Sequence, residues 1–210
     1  MSTRLDHLIV TAPTLAEGVA AVEVSLGVSM SAGGQHVLMG THNAVLRLGE
    51  DEYLEVIAVD PEGAAPERPR WFGLSQRVTK PGLAHWALSG QDIDAWAANL
   101  GLAAEEVIPM QRGDFEWRIS VPADGHLPEG GVQPSLIQWD AGGHPTERLP
   151  DAGCRLLALV LQHPMPALIQ ACLESVDVDD GRLSIQHNEK PGLSALIGTP
   201  GGERWLLAET

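Results

Sequence analysis

The stretch "KPGLAHWALSG", Lys80 to Gly90, decides how this chain is read. Leu83 to Ser89 has the short apolar run of a buried strand, yet His85 stands at its centre. A near-copy opens the protein as "RLDHLIV", Arg4 to Val10, with His7 in the matching place. Both read Leu-x-His followed by three apolar residues. A strand that recurs with the same embedded imidazole implies a duplicated unit.

Working outward, "LDHLIVTAPTLAEGVAAVEVSLGV" aligns with "LAHWALSGQDIDAWAANLGLAAEE". Each gives a strand, a polar turn and a helix. Thr14 and Asp92 are candidate N-caps, since their side-chain oxygens can accept from the free N–H groups of a first turn. Leu15, Val19, Val22 and Leu26 recur at helical spacing, and Gly27 and Gly101 sit where helices stop. A third start is "RLLALVLQHPMPALIQACLESVDVDD", from Arg155, with Pro166 suited to a first helical turn. The endings repeat too. "NAVLRLGEDEYLEVIA" and "SALIGTPGGERWLLAE" both read strand, Gly-containing turn, strand. The middle unit ends on a longer version, "FEWRISVPADGHLPEGGVQPSLIQWD".

The predicted class is α+β. Tandem βαβββ units over residues 4–60 and 82–140 form a domain spanning 1–150. A third, shorter unit over 151–210 packs on it. The Pro/Gly-rich segments 60–82 and 140–153 read as polar connections.

Side chains two apart on a strand share a face. Leu5, His7 and Ile9 are therefore expected on one face, with Asp6, Leu8 and Val10 on the other. In "EYLEVIAV", Tyr53, Glu55 and Ile57 go together. An ionised Glu55 inside an apolar strand is costly unless paired, hydrogen-bonded or metal-bound. The second unit offers His85 in the place of His7 and Gln138, in "PSLIQWD", in the place of Glu55. Two imidazoles, a carboxylate and an amide oxygen are a reasonable set for a borderline divalent ion if the units pack about a pseudo-twofold axis. The third unit has Ala158 or Leu159 and Leu206 at these places, so the polar pairs are not a requirement of the repeat.

At "LDHLIV", "YLEVIAVDP", "GLAHWAL" and "SLIQWD" the chain resembles the glyoxalase-like proteins of the vicinal oxygen chelate superfamily, over residues 4–140. The resemblance implies paired βαβββ units forming an open, barrel-like mixed sheet, helices outside. It implies metal ligands at His7, Glu55, His85 and Gln138, with Gln138 standing where a Glu is more usual. The metal would be Zn, Ni, Mn or Fe, or absent. The segment "GGQHVLMGTHN" places His36, His42 and Asn43 beside the expected site, and Trp117 and Arg118 are candidates to wall a pocket and bind a substrate carboxylate. His126, His144, His163 and His187 lie in turns or loops and are expected to face solvent.

Two function classes follow. One is a metal-dependent lyase or isomerase on a small oxygenated carbonyl compound, with Glu55 as the catalytic proton carrier. Its variant is a non-haem iron dioxygenase built on His7, His85 and Glu55. The other is a metal-free, drug-sequestering type of binding protein, as in bleomycin resistance. The formal charge of −15 argues against nucleic acid and anionic membranes as partners. No apolar run approaches the roughly 18 residues of a membrane helix. The first residues carry no signal-peptide pattern, so a cytoplasmic location is expected. Cys154 and Cys172 match no zinc or redox spacing. A small-molecule ligand is the expected partner, in a monomer or a homodimer.

Overall fold

The computed structural model describes residues 3–208. Its first unit runs β1 (Arg4–Thr11), α1 (Leu15–Leu26), β2 (Ser31–His36), β3 (Thr41–Arg47) and β4 (Tyr53–Val59). The second runs β5 (Gly82–Ser89), α2 (Ile93–Asn99), β6 (Val107–Arg112), β7 (Phe115–Ser120) and β8 (Ser135–Ala141). These eight strands form one curved sheet in the order β2-β3-β4-β1-β5-β8-β7-β6. Each half has the same internal order about the antiparallel β1–β5 seam. This is the mixed, barrel-like α+β sheet expected from the duplicated pattern. Its edge strands β2 and β6 come close enough that a Cβ on Gly34 would lie 2.9 Å from Arg112 Cδ.

Local signals explain the helices. Thr14 accepts from the Glu17 N–H at 3.2 Å, Gly27 closes α1 in the left-handed conformation, and Asp92 caps α2. Val22 and Leu26 of α1 are buried against the convex face, in a core with Leu8, Leu54, Val56 and Trp86. Each such aliphatic side chain contributes roughly 2 kcal/mol by leaving water. A second core of Ile9, Ile57, Ile119, Ile137 and Trp117 fills the concave side.

The third unit runs β9 (Arg155–His163), α3 (Pro166–Ser175), β10 (Leu183–His187), β11 (Gly192–Thr199) and β12 (Gly202–Leu207). The element order is βαβββ, but the sheet order is β10-β9-β11-β12. In the first unit β1 pairs in parallel with the last strand, β4. In the third, β9 pairs in parallel with β10 and antiparallel with β11, leaving β12 at the edge. Leu206 is thus not the positional counterpart of Glu55, although both lie in the second strand of a hairpin. Leu159, Leu161, Leu193 and Ile197 of this sheet share the convex core with Leu5, Leu8 and Trp86.

The segments read as polar connections are not simply polar. Trp71, Phe72 and Leu74, from the first, are buried on the concave side. His144 and Thr146, from the second, are buried as well. His163, also expected in solvent, is buried with its Nε2 3.2 Å from Glu129.

Candidate active site

The concave face of the first half gathers a buried polar cluster. A register shift between Leu5 and His7 against β5 makes Asp6 an extra residue on β1. Such a bulge re-aims side chains. Leu5 joins the convex core with Leu8, while Asp6 turns inward beside His7. The expected strict alternation therefore fails at both Leu5 and Asp6, on the N-terminal side of the bulge.

Asp6 is fully buried, and three donors converge on it. His7 Nδ1–H donates to Oδ1 at 2.6 Å, Trp139 Nε1–H to Oδ2 at 2.9 Å, and His144 Nε2–H to Oδ2 at 3.3 Å. The His144 tautomer follows from its Nδ1, which accepts from the Thr146 hydroxyl at 2.7 Å. Burial alone would raise the Asp6 carboxyl. The bonds from His144 and His7 outweigh it and hold the group well below the usual carboxylate range. The ionised Asp6 fixes His7 with its Nδ1 protonated and its ring stacked on Tyr53, centroids 4.6 Å apart. Burial, then the charges of Asp6 and Glu55, keeps the Tyr53 phenol far above its ordinary range, so it stays neutral.

His7 Nε2 stands 3.9 Å from Glu55 Oε2. That is too long for a direct bond, and close enough for one ligand atom or water to touch both. Glu55 Oε1 accepts from Asn43 Nδ2 at 2.5 Å, and Asn43 Oδ1 accepts from the Gly34 N–H at 2.8 Å. The paired glycines in "GGQH" exist for this contact: a Cβ on Gly33 would fall 2.0 Å from Asn43 Oδ1. His36 Nε2 lies 4.0 Å from Glu55 Oε1 and accepts from Arg112 Nη1 at 3.3 Å. Burial, reinforced by the Arg112 charge, pushes His36 well below its ordinary range, so the ring is neutral.

His7, His36, Glu55, Arg112, Trp71 and Trp117 enclose a cavity of about 20 Å³, room for one water-sized group. Arg112 and Trp117 also line an open cleft of about 650 Å³ outside it. The Arg112 side chain thus stands between a closed pocket and an accessible one.

His85 lies on the same face, but both its ring nitrogens are committed. Nδ1–H donates to Gly131 O and Nε2 accepts from the Ser135 hydroxyl, each at 2.9 Å. Burial drives its pKa down to about 4, so it is neutral near pH 7. Gln138 does not converge with it. It points outward, where Oε1 accepts from the Ile93 N–H at the start of α2. Strand register gives the reason. Ile9, two residues after His7, pairs with Glu55; Ala87, two after His85, pairs with Ser135. Ser135 is the true counterpart of Glu55, and Gln138, three residues further along β8, faces the other side.

His42 alternates away from Asn43 and Thr41, and its buried Nε2 has no hydrogen-bond partner among the described residues. Arg118 faces outward and pairs with Asp94 at 2.8 Å. Of the expected site residues, His7, His36, Asn43, Glu55 and Trp117 come together. His42, His85, Arg118 and Gln138 do not join them. Asp6, Arg112 and His144 were missed. The acidic neighbour of His7 was visible in "LDH", but its direction depends on the bulge.

The four-ligand metal set does not fit this arrangement. Among the described residues no three His, Cys, Asp or Glu side chains are grouped to hold a metal ion. The Arg112 guanidinium also lies beside His36, where its charge opposes a cation.

The chain resembles, at 16% identity and a TM-score of 0.64, the crystal structure of a hypothetical protein from Staphylococcus aureus, with 91% of this chain and 88% of that one covered. A hypothetical protein from Bacillus halodurans matches at 15% identity and a TM-score of 0.46, covering 69% of this chain and 98% of that one. A methylmalonyl-CoA epimerase of Streptomyces coelicolor, in complex with 2-nitronate-propionyl-CoA, matches at 21% and 0.44, covering 69% and 100%. No curated protein matches. The family described as "Glyoxalase-like domain" matches residues 5–176. With the duplicated βαβββ sheet and a match over most of its length, the chain belongs to the glyoxalase-like domain family.

Proposed function

We propose that the protein is a proton-transfer enzyme, an isomerase or lyase, acting on a small oxygenated carbonyl compound. The observation that carries this reading is the pair of facing acceptors, Glu55 Oε2 and His7 Nε2, 3.9 Å apart beside the Arg112 cation. Glu55 removes a proton from the carbon next to the carbonyl. The electron pair moves into the C=O, and the enolate oxygen is stabilised by the Arg112 N–H groups. The proton on Glu55 passes across to His7 Nε2, whose ring Asp6 holds by its Nδ1–H, and His7 returns it at the second position, restoring both groups. Metal dependence, expected from the family resemblance, is not needed for any of these steps. They are derived from this chain's residues alone.

The test is deuterium exchange. The purified protein is incubated in heavy water with a panel of small ketones, oxo acids and thioesters, and C–H exchange is followed by proton NMR. Exchange above the buffer rate is expected for at least one compound, falling by about 10²–10⁴-fold in Glu55→Gln. Binding without exchange by any member of the panel would instead identify a binding protein.

A further inference from the structure

The open cleft has an uneven charge. Its one cation, Arg112, lies at the inner end, against the closed cavity. Val37, Leu38 and Met110 supply apolar wall, and Val37 is largely exposed. Glu116 and Asp140 supply two carboxylates. Among the described residues no cation lies within ion-pair distance of Glu116. Asp140 has Arg118 Nε at 3.8 Å, which offsets part of its charge.

The distances set what a ligand can place where. Arg112 touches His36 Nε2, and that same nitrogen is 4.0 Å from Glu55 Oε1. A carboxylate on Arg112 therefore puts the next carbons at the mouth of the inner cavity that Glu55 lines. The inner cavity admits only one water-sized group, so a chain of any length must extend outward, and of the two clefts that Arg112 lines this is the one that also shares Trp117 with the cavity. There it meets apolar wall and negative charge. A second anionic group there would be repelled, mainly by Glu116, which has no cation to offset it among the described residues.

We propose that the substrate is a monoanionic 2-oxo acid with an uncharged tail. Its carboxylate and oxo oxygen fork onto Arg112, its C3 stands at the mouth of the inner cavity on the side of Glu55, and its tail runs out past Glu116 and Asp140. The position of C3 rests on the proton-transfer reading; the preference for one negative charge at the inner end does not.

Binding by calorimetry separates the two. The probes are 2-oxooctanoate, 2-oxooctanedioate and 2-octanone. The monoacid is expected to bind about tenfold or more tighter than either the diacid or the ketone. The double variant Glu116→Gln/Asp140→Asn should close most of the gap between monoacid and diacid. Arg112→Gln should bring the monoacid down to the level of the ketone, with far-ultraviolet circular dichroism confirming that each variant is folded. The proposal is overturned if the diacid binds as well as the monoacid, if Arg112→Gln leaves affinity unchanged, or if the monoacid does not bind. Selective binding without C3 exchange in heavy water would remove the proton-transfer reading and leave this one standing. Exchange on the neutral ketone with no preference for the acid would do the reverse.

Discussion

At the residue scale, the buried charges carry the consequences. Asp6 holds His7 in one tautomer, so Asp6→Asn should cost about 10²-fold or more in proton exchange while leaving ligand affinity nearly intact. Exchange rates and binding, measured on the same preparation, check this. His85 gives a pH effect whose sign is fixed. Its native pKa is depressed to about 4, so between there and its ordinary value near 6.5 the unfolded chain binds more protons than the native one. Stability is fully present above about 6.5 and falls as pH drops through that window, by about 2 kcal/mol between pH 7 and pH 5 for this group. Urea unfolding at both pH values should show that loss, and His85→Gln should lose less. His7 and Glu55 were legible in the sequence, because a polar group inside an apolar strand stands out. Asp6 was not, because alternation sent it to the wrong face. Arg112 was not, because a strand-terminal arginine next to a turn reads as a surface residue.

At the scale of the element, helix ends were legible from local chemistry. Thr14, Asp92, Gly27 and Pro166 each satisfy or release a backbone group that needs no tertiary contact to identify it. Strand pairing was less so. Hairpins were found in the right places, but whether β9 lies next to β10 or β12 depends on what each strand buries, and the pattern of apolar residues does not encode that. The contact of α1 with the sheet makes a prediction here. A Cβ on Gly18 would come within 2.5 Å of Val56 Cγ1 and 2.7 Å of Ala12 Cβ. Gly18→Ala therefore forces the helix off the sheet despite its better helix propensity. It should destabilise the protein by about 1–3 kcal/mol, read as a lowered urea midpoint with unchanged slope.

For the whole molecule, the duplicated sheet was legible from the echo of two strands, while the covering of its concave end was not. Trp71 and Phe72 sit in a segment whose prolines and charges read as a spacer, and their burial follows only from the hole they fill. We further propose that the third unit, from β9 to β12, is distinct from the paired sheet in sequence yet not in stability. One convex core contains side chains of both sheets, so thermal unfolding should be a single transition, with calorimetric and van't Hoff enthalpies in agreement. The same core has a bearing on how the site is assembled. The β1–β5 seam joins the two halves within one chain, and the third sheet lies across its convex side. Two copies that traded halves would each have to peel that sheet away and rebuild it on a foreign partner. We therefore expect the pocket to work within one chain, so that ligand binding per molecule holds constant as the protein is diluted.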